Sequence, residues 1–398
     1  MSPRSYSVGE VGVTEDYDVV VVGARPAGAA TALLLAQQGL RVLVLERAKP
    51  GADTLSTHAL MRAGVAQLTR WGLLDSIVVA GTPAVRRTRF HYPGEQVTVS
   101  IKPAAGVEAL YAPRRTVLDR LLAEAAENAG ATVRYGVTVT GLERDRSGRI
   151  IAVVGHDHSS APVRVRSWLT VGADGAGSTV ARLVGAPNMR VGSASSAIVY
   201  GYWDGLGVTD YEWFYRPGAT AGMIPTNDGK VCVFAGTSAQ RFNQEVGGDL
   251  RGSYLRLLAE ATGPAAAGRL PESLAPQRLH GFPGRLGHLR QAHGPGWALV
   301  GDAGQFIDPL STNGITDALR DAELLSRQVE SIVSGAGENE ALAAYQTERD
   351  RLATPIFDVV NELAGYRWDV PTVRELLLRL NSAFSAEVEA LTGVTLKR

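Results

Sequence analysis

Three glycine-containing turns carry the residue types and the spacing that point most directly to chemistry. Each turn follows a short apolar run and leads toward residues that favour a helix. The turns are Gly23–Gly28, Asp174–Gly175 and Gly301–Asp302. Glycine lets the backbone approach a phosphate closely, and the N-terminus of a following helix offers free N–H groups to an anion. Three such turns on one sheet predict a shared site for one elongated, phosphate-containing ligand.

The first turn lies within a pattern of strand, glycine turn, helix, strand and acid over residues 18–46. Gly23 permits the tight turn, Gly28 lets the helix approach the strand, and Glu46 is placed to accept hydrogen bonds from ribose hydroxyls. Arg25 stands where this pattern usually has its middle glycine. Its guanidinium must therefore point away or fold back to make a charge-assisted contact. The pattern predicts a dinucleotide-binding βαβ unit.

The composition limits what the elements around these turns can be. The 398 residues include 40 basic and 40 acidic side chains, 45 glycines and one cysteine, and 45% of the residues are hydrophobic. That length and apolar content predict two or three folded domains and exclude disorder as the main state. Because the zero net charge gives no general attraction for a polyanion, we expect no nucleic-acid partner. The lone thiol, Cys232, is predicted to be a small buried side chain.

The beginning of the chain bears on its location. Residues 1–16 are polar and lack an apolar segment, so they are predicted to form a flexible N-terminal tail and not a signal peptide. No stretch reaches the ~18 apolar residues that a membrane span requires, so no span is expected. We therefore expect a cytoplasmic protein.

Two segments, 84–104 and 191–284, show strand patterns and few helical ones. They predict an antiparallel sheet. The expected strands are 85–92, 96–101, 196–203, 211–215, 222–225 and 230–235. Aromatic residues alternate along two of these strands, so Tyr200 and Tyr202 are expected to share one face. The final stretch is predicted to form helices interrupted at Pro355 and Pro371.

The three turns and their order resemble the flavoprotein monooxygenase superfamily, which includes aromatic hydroxylases, geranylgeranyl reductases and flavin-dependent halogenases. The resemblance covers residues 17–365 and matches the turns to the FAD motifs of that superfamily. It implies an α/β fold, with a Rossmann-like FAD-binding domain of the GR2 type, an inserted antiparallel-sheet substrate domain and C-terminal helices. The implied boundaries are 1–16 for the tail, 17–83, 105–190 and 285–345 for the FAD-binding domain, 84–104 and 191–284 for the substrate domain, and 346–398 for the C-terminal helices.

The resemblance also implies which residues bind the cofactor. Asp302 is expected to contact the ribityl and pyrophosphate region of FAD, and Arg115 is expected to lie along the cofactor. The N–H groups of residues 313–315 are expected to face the flavin pyrimidine, where a helix N-terminus stabilises negative charge. The alternative for Asp302 is a helix or turn cap. The full predicted set is Gly23, Arg25, Pro26, Ala27, Gly28, Glu46, Arg47, Arg115, Val139, Asp174, Gly175, Gly301, Asp302, Pro309, Asn313, Gly314 and Ile315.

His58 ends the segment Asp53–His58, which resembles the D-T-x-S-T-H loop of a bacterial subgroup of FAD oxidoreductases. It is the one candidate catalytic side chain, as a donor to the flavin or to a substrate oxygen, or as a covalent flavin tether. The alternative is a polar cluster that stabilises a turn. In the resembled fold the sheet covers the flavin, which implies several substrate contacts. They are Tyr200, Tyr202, Trp213, Tyr215 and Met223.

The resemblance implies an FAD-dependent monooxygenase that uses NADH or NADPH and O2 and reacts through a flavin C4a-hydroperoxide. The implied substrate is an aromatic or polyketide-like small molecule of secondary metabolism. Only one dinucleotide motif is found, so the nicotinamide docks transiently or a separate flavin reductase supplies electrons. One alternative, favoured by Asp308-Pro309, is a reductase of C=C bonds similar to geranylgeranyl reductases. A halogenase, whose W-x-W-x-I-P motif is missing, and a non-catalytic FAD-carrying escort are further alternatives. A monomer or homodimer without a bound metal is expected.

Overall fold

The structure, a computed structural model, describes residues 15–245 and 248–396, so residues 1–14 of the predicted tail lie outside the described part. The strands described there, in chain order, are β1 Glu15–Asp16, β2 Val19–Val22, β3 Val42–Glu46, β4 Arg87–Tyr92, β5 Glu95–Ser100, β6 Thr132–Tyr135, β7 Thr138–Arg144, β8 Ile150–His156, β9 Pro162–Arg166, β10 Leu169–Gly172, β11 Asn188–Val191, β12 Ser196–Trp203, β13 Tyr211–Arg216, β14 Ala219–Pro225, β15 Val231–Ser238, β16 His280–Phe282, β17 His288–Arg290, β18 His293–Gly294, β19 Trp297–Leu299 and β20 Gln305–Phe306. The α-helices are α1 Pro26–Gln37, α2 Arg62–Arg70, α3 Leu74–Val79, α4 Arg115–Asn128, α5 Thr179–Val184, α6 Ala239–Glu245, α7 Leu250–Thr262, α8 Pro264–Ala267, α9 Gly314–Val333, α10 Glu338–Ala364 and α11 Val370–Thr392. Short 3-10 turns lie at Asn227–Gly229, Glu272–Leu274, Gly301–Ala303 and Pro309–Ser311.

A six-stranded sheet, in the order β18-β19-β10-β2-β3-β6, carries the three glycine turns at its strand ends. Its strands run parallel except for β18, which is antiparallel to β19. Val19 and Val21 of β2 pack with helices α1 and α9, whereas Val20 and Val22 pack against a second sheet in the order β1-β9-β8-β7. Both faces are therefore covered, which explains the continuous apolar runs of β2 and β3. The predicted Rossmann-like domain is confirmed.

A seven-stranded sheet, in the order β16-β12-β15-β14-β13-β4-β5, contains the strands predicted for the substrate domain. Its pairs are antiparallel, as predicted, with one exception: β13 runs parallel to β4, with Tyr211 beside Thr88. The long connection between β4 and β13 permits this parallel pairing, which a short hairpin cannot make. One face of the sheet packs against α1 and α9, and the other packs against α7.

Three long helices follow the last strand. The first of them, α9, begins at Gly314, after β20 and the Pro309–Ser311 turn, and α10 runs unbroken through Pro355, so the predicted interruption there is wrong. Ile356 and Phe357, next to this proline, are buried in an apolar cluster, and that packing offsets the hydrogen bond that proline removes. Pro371 lies in the first turn of α11, where its missing N–H costs nothing. Among the described residues, no helix combines the length and the apolar character that a membrane crossing requires.

Candidate functional site

The first two glycine turns touch each other at the carboxyl ends of β2 and β10. Gly23 has a φ of +106°, and a Cβ at this position would lie 2.5 Å from the carbonyl oxygen of Ala173. A Cβ on Gly28 would lie 1.8 Å from the carbonyl oxygen of Gly23. No side chain fits at either position, so the close backbone packing requires glycine. Around Gly175, by contrast, no atom lies within 4 Å of a Cβ, which leaves open space in front of this turn.

Glu46, at the end of β3, is buried beside the first turn. Its two carboxylate oxygens accept hydrogen bonds of 2.8 Å from the N–H groups of Ala24 and Ala48. Each oxygen keeps a lone pair, so the carboxylate can still accept from a ribose hydroxyl. Arg47 is exposed, and the side chain of Val139 packs in the core between the two sheets. Only the backbone of Val139 is therefore free for the predicted cofactor contact.

Arg25 and Arg115 converge on the carboxylate of Asp119. Arg25, which precedes α1, places Nη1 at 3.3 Å from Asp119 Oδ2. Arg115, the first residue of α4, donates to the same carboxylate from Nε at 2.7 Å and from Nη2 at 2.9 Å. Two cations that share one anion leave a net positive charge beside the glycine turn, which suits a pyrophosphate. Arg25 thus has the folded-back arrangement that was one of its two expected options.

The acids of the second and third motifs have different environments. Asp174 caps α5, because its carboxylate accepts hydrogen bonds from the Ser178 hydroxyl at 2.5 Å and from the N–H of Thr179 at 2.6 Å. The side chain of Asp302 has no hydrogen-bond or ion-pair partner within residues 15–245 and 248–396. Burial raises the pKa of the Asp302 carboxyl to about 6. Asp174 therefore caps α5 together with Ser178, whose hydroxyl accepts from the Ala181 N–H at 2.9 Å, and Asp302 is the free carboxylate at this edge of the sheet.

Asp308 holds the loop that leads into α9. Its buried carboxylate accepts hydrogen bonds from the Ser196 hydroxyl at 2.6 Å and from the Ser196 N–H at 2.7 Å, and burial raises the pKa of this carboxyl to about 6. Pro309 begins a short turn, after which α9 starts at Gly314. In the described part of the chain, no atom other than those of the adjacent residues and the helix's own backbone lies within 4 Å of a Cβ built on Gly314. The first turn of α9 therefore offers N–H groups to open space.

The side chains around the start of α9 point away from that space. Asn313, the residue that precedes the helix, is fully buried and donates from Nδ2 to Asp317 at 2.9 Å. Ile315 packs in the apolar cluster between α1 and the seven-stranded sheet. The cofactor contacts predicted for Gly314 and Ile315 are consequently available to the backbone alone, whereas the N–H of Asn313 already donates to the Ser311 hydroxyl at 3.2 Å.

An aromatic cluster lies on the face of the seven-stranded sheet that packs against α1 and α9. It consists of His58, Arg114, Tyr200, Tyr202 and His280. Tyr200 stacks on His280 with 4.9 Å between the ring centroids, and Tyr202 meets Tyr200 edge-on at 5.9 Å. The guanidinium carbon of Arg114 lies 3.9 Å from the centroid of the Tyr202 ring, while Nη2 pairs with Asp53 at 3.1 Å. The cluster therefore combines flat apolar surfaces with polar groups.

His58 is the most constrained member of this cluster. It has a φ of +70°, is 1% exposed, and forms a hydrogen bond from Nε2 to the hydroxyl of Tyr202. Its Nδ1 is buried without a partner among the described residues. Burial, aided by the nearby Arg115 and Arg114, lowers the pKa of His58 to about 3. The ring is therefore neutral near pH 7, a weak base with one nitrogen left to bind a ligand.

A family model described as an FAD-binding domain matches residues 16–360. The chain belongs to this FAD-binding family. The site fits the cofactor, because the glycine turns bring bare backbone together with a shared cation pair, a free carboxylate and the open N-terminus of α9. The chain is accordingly an FAD-dependent oxidoreductase of the monooxygenase superfamily.

Relatives of known name fall into two groups. The chain is 27% identical over 346 residues to a digeranylgeranylglycerophospholipid reductase of Methanocella arvoryzae, covering 84% of this chain and 82% of the relative. It is 35% identical over 170 residues to a 12-dehydrotetracycline 5-monooxygenase/anhydrotetracycline 6-monooxygenase of Streptomyces rimosus, covering 42% of this chain and 33% of the relative. PqsL of Pseudomonas aeruginosa, solved in complex with 2-aminobenzoylacetate, shares the fold with a TM-score of 0.77 at 22% identity, covering 93% of this chain and 100% of PqsL.

The predicted substrate contacts separate into different places in this FAD-binding fold. Tyr200 and Tyr202 lie in the aromatic cluster, whereas Trp213 is buried edge-on to Tyr211 at 5.7 Å. Tyr215 packs against Trp368 with 6.2 Å between the ring centroids, in the cluster around the C-terminal helices. Met223 lies on the opposite face of the sheet, under α7. Its side chain therefore points away from the aromatic cluster, because alternate residues of a strand point to opposite faces.

Several site residues were not predicted from the sequence. Asp119, one helical turn after Arg115, binds both arginines, and an i, i+4 pair of opposite charges was a visible signal for it. Arg114 and Asp53 form an ion pair across the aromatic cluster. His280 had no local signal, because only the pairing of β16 with β12 brings it beside Tyr200.

Proposed function

We propose that the protein is an FAD-dependent monooxygenase that oxygenates a planar aromatic or polyketide-like small molecule with NADH or NADPH and O2. The observation that carries this proposal is the aromatic cluster, whose rings, phenol hydroxyls and imidazoles face the elements that bear the FAD motifs. Flat rings suit a flat aromatic substrate, and the polar groups suit its oxygen substituents. When bound, FAD supplies the chemistry of hydride acceptance and oxygen activation.

The protein residues have separable tasks in this proposal. Arg25 and Arg115 hold the pyrophosphate, and Glu46 holds the ribose. Tyr202 and His58 orient a substrate oxygen through the imidazole nitrogen that has no protein partner. Because the pKa of His58 is lowered to about 3, the ring serves as a neutral hydrogen-bonding group and does not abstract a proton at pH 7.

Arg114 has a positioning task. Its guanidinium is stacked on Tyr202 and paired with Asp53, and its N–H donates to Asn227 at 2.8 Å. These contacts hold the Tyr202 ring in place and balance the positive charge in the cluster. Exclusion of water from the reacting atoms favours productive oxygen chemistry, and the packed rings of the cluster serve that exclusion in this proposal.

The test is an assay of the FAD-loaded protein with NADH and NADPH against a panel of phenols, aminobenzoyl compounds and polycyclic polyketides. We expect at least one compound to accelerate nicotinamide oxidation and to gain one oxygen atom from 18O2. A substrate that is converted without gaining labelled oxygen would overturn the proposal. Addition of a separate flavin reductase in parallel assays distinguishes direct reduction by nicotinamide from reduction that needs a partner.

A reductase of C=C bonds is a second candidate, because the relatives matched over most of the chain include a digeranylgeranylglycerophospholipid reductase. An isoprenoid substrate requires a long apolar channel, whereas the described cluster is short and rich in polar groups. Anaerobic incubation with reduced FAD and polyprenyl compounds decides between the two reactions. Saturation of a double bond without O2 favours the reductase.

We further propose a cytoplasmic location and a monomer or homodimer. Cell fractionation tests the location, and light scattering tests the oligomeric state.

A further inference from the structure

A buried group of charged side chains lies directly behind the first turn of α9. We call it the carboxylate cluster, and it consists of Asp317, Arg320 and Asp321 of α9 and Glu387 of α11. Arg320 Nη1 donates to Asp317 at 2.7 Å and to Glu387 at 2.7 Å, while its Nη2 donates to Asp321 at 2.9 Å. The Arg320 and Glu387 side chains are 0% exposed. Three acids therefore share one cation away from solvent.

The carboxylate cluster is bonded to two of the predicted FAD-binding segments. Asn313 Nδ2 donates to Asp317 at 2.9 Å and to Glu387 at 3.4 Å. The N–H of Gly301 donates to Asp321 at 3.0 Å. A change of charge in the carboxylate cluster would therefore act on Asn313, which directly precedes the first residue of α9, Gly314. This end of α9 faces the open space of the site.

Full ionisation of the carboxylate cluster would leave two uncompensated negative charges in the protein interior, which is costly. Asp317 and Glu387 accept from the same arginine nitrogen and the same amide, so both carboxylates lie within hydrogen-bond reach of the same two donors. Burial raises the pKa of Asp317 to about 8 and raises the pKa of Glu387, with Arg320 opposing both shifts. Within residues 15–245 and 248–396, the titratable groups that face the cluster, apart from Arg320 and Asp321, are Tyr345 of α10 and Asp302 of the third motif.

We propose that Asp317 and Glu387 hold one shared proton behind α9, and that this proton raises the reduction potential of FAD bound at the end of that helix. Reduction of FAD by two electrons adds negative charge to the cofactor. A proton lost from the pair to water places one more negative charge behind α9, which opposes that reduction. No bond forms between the pair and FAD.

This inference goes beyond the proposed function, because it applies equally to oxygenation and to C=C reduction. It rests on the FAD contact predicted for residues 313–315. The test of the shared proton therefore uses a chemical reductant and needs no substrate. A failed oxygenation assay would leave the shared-proton proposal intact, and failure of the redox test would leave the oxygenation proposal intact.

The experiment is a spectroscopic redox titration of the FAD-loaded full chain between about pH 6 and pH 9.5, with reference dyes. The variants are Glu387→Gln and, as a matched control, Glu323→Gln. Glu323 is another buried acid of α9, but it pairs with Arg70 and Arg327 outside the carboxylate cluster. We expect the wild-type potential to fall more steeply near pH 8 than that of Glu387→Gln. At pH 9.5, Glu387→Gln should show about a tenfold higher ratio of reduced to oxidised FAD at the same applied potential. This ratio corresponds to a reduction potential that is ~30 mV higher than that of the wild type.

The proposal would be overturned by potentials of Glu387→Gln that follow the wild type at every pH, or by an equal change in Glu323→Gln. If Glu387→Gln does not fold, Asp317→Asn takes its place in the same titration. Unfolding of the FAD-free protein gives a second measurement. Because the folded-state pKa of Asp317 lies above its unfolded value, wild-type stability should fall as pH rises toward about 8, and it should fall less in Glu387→Gln. A titration seen in unfolding but absent from the potential also overturns the proposed coupling to FAD.

Discussion

Arg114 and Arg115 are neighbours in the sequence, yet they belong to two regions that are built differently. Arg115 turns toward Asp119 and the glycine turn, and Arg114 turns toward Asp53 and Tyr202. The cofactor region consists mainly of backbone at strand ends, where Gly23 and neighbouring atoms leave no room for a side chain. The aromatic cluster consists of side chains contributed by four separate segments of the chain.

This difference teaches which region tolerates change. A backbone cradle loses its shape when a single Cβ is added, whereas a cluster of side chains can be rebuilt one residue at a time. The comparisons are compatible with this division, since the family model for an FAD-binding domain matches residues 16–360, whereas the named relatives include both a reductase and a monooxygenase. We therefore expect substitutions in the cofactor region to affect folding and FAD content, and substitutions in the aromatic cluster to affect turnover.

The largest effect is expected from Gly28→Ala. A Cβ at this position would lie 1.8 Å from the Gly23 carbonyl oxygen, so α1 has to move away from β2. We expect a loss of about 3 kcal/mol or more in the free energy of unfolding and loss of the bound FAD, measured by thermal unfolding and by absorbance near 450 nm. The matched control is Gly177→Ala, because no atom lies within 4 Å of a Cβ there. A stable, yellow Gly28→Ala protein would contradict the proposed role of backbone packing.

The glycine turns also show how far the sequence alone could lead. The βαβ unit and the position of Glu46 follow from local patterns, so they could be predicted, whereas the pairing of β2 with the distant β10 could not. The assignment of Asp174 as the cap and Asp302 as the free carboxylate could not, because both are acids beside glycine and only the surrounding backbone distinguishes them. His280 was missed for a related reason, since strand pairing over a long separation leaves no local pattern.

The second-largest effect, a loss of FAD affinity, is expected from Arg115→Ala. The substitution removes one of two cations beside the glycine turn and leaves Asp119 paired with Arg25 alone. A charge-assisted hydrogen bond contributes about 1.5–3 kcal/mol, so we expect FAD to bind roughly 10- to 150-fold more weakly in a fluorescence titration of the FAD-free protein. Arg120→Ala on the same helix is the control, because Arg120 is half exposed and pairs only with Glu124 among the described residues. Equal losses in both variants would rule out a specific role for Arg115.

The third effect is a change in the pH dependence of stability in His58→Asn, since asparagine accepts a positive φ. The folded-state pKa of His58, lowered by burial to about 3, lies below its ordinary value near 6.5. As the pH falls, the His58 ring therefore takes up a proton in the unfolded chain before it does so in the folded protein. The free energy of unfolding of the wild type should decrease below about pH 6.5, by up to about 1.4 kcal/mol per pH unit. Chemical denaturation at pH 7 and pH 5 measures the His58 contribution as the difference between wild type and His58→Asn, because His288, whose pKa burial lowers to about 4, adds a slope to both proteins. The exposed His156 provides the control His156→Asn, and a wild-type slope in His58→Asn would contradict the buried neutral ring.

The smallest effect is expected from Tyr202→Phe, and it tests the aromatic cluster most directly. The ring remains, so the stacking with His58 and the contact with Arg114 persist, while the hydroxyl that binds His58 Nε2 is lost. A hydrogen bond of this kind contributes about 1 kcal/mol, so we expect a roughly five- to tenfold lower kcat/KM with unchanged FAD affinity. Tyr92→Phe is the control, because Tyr92 lies in the separate group with Tyr215 and Arg374. If Tyr202→Phe instead loses FAD and keeps its turnover per bound FAD, the Tyr202 hydroxyl contributes to FAD binding. Tyr202 would then belong to the cofactor region and not to the aromatic cluster.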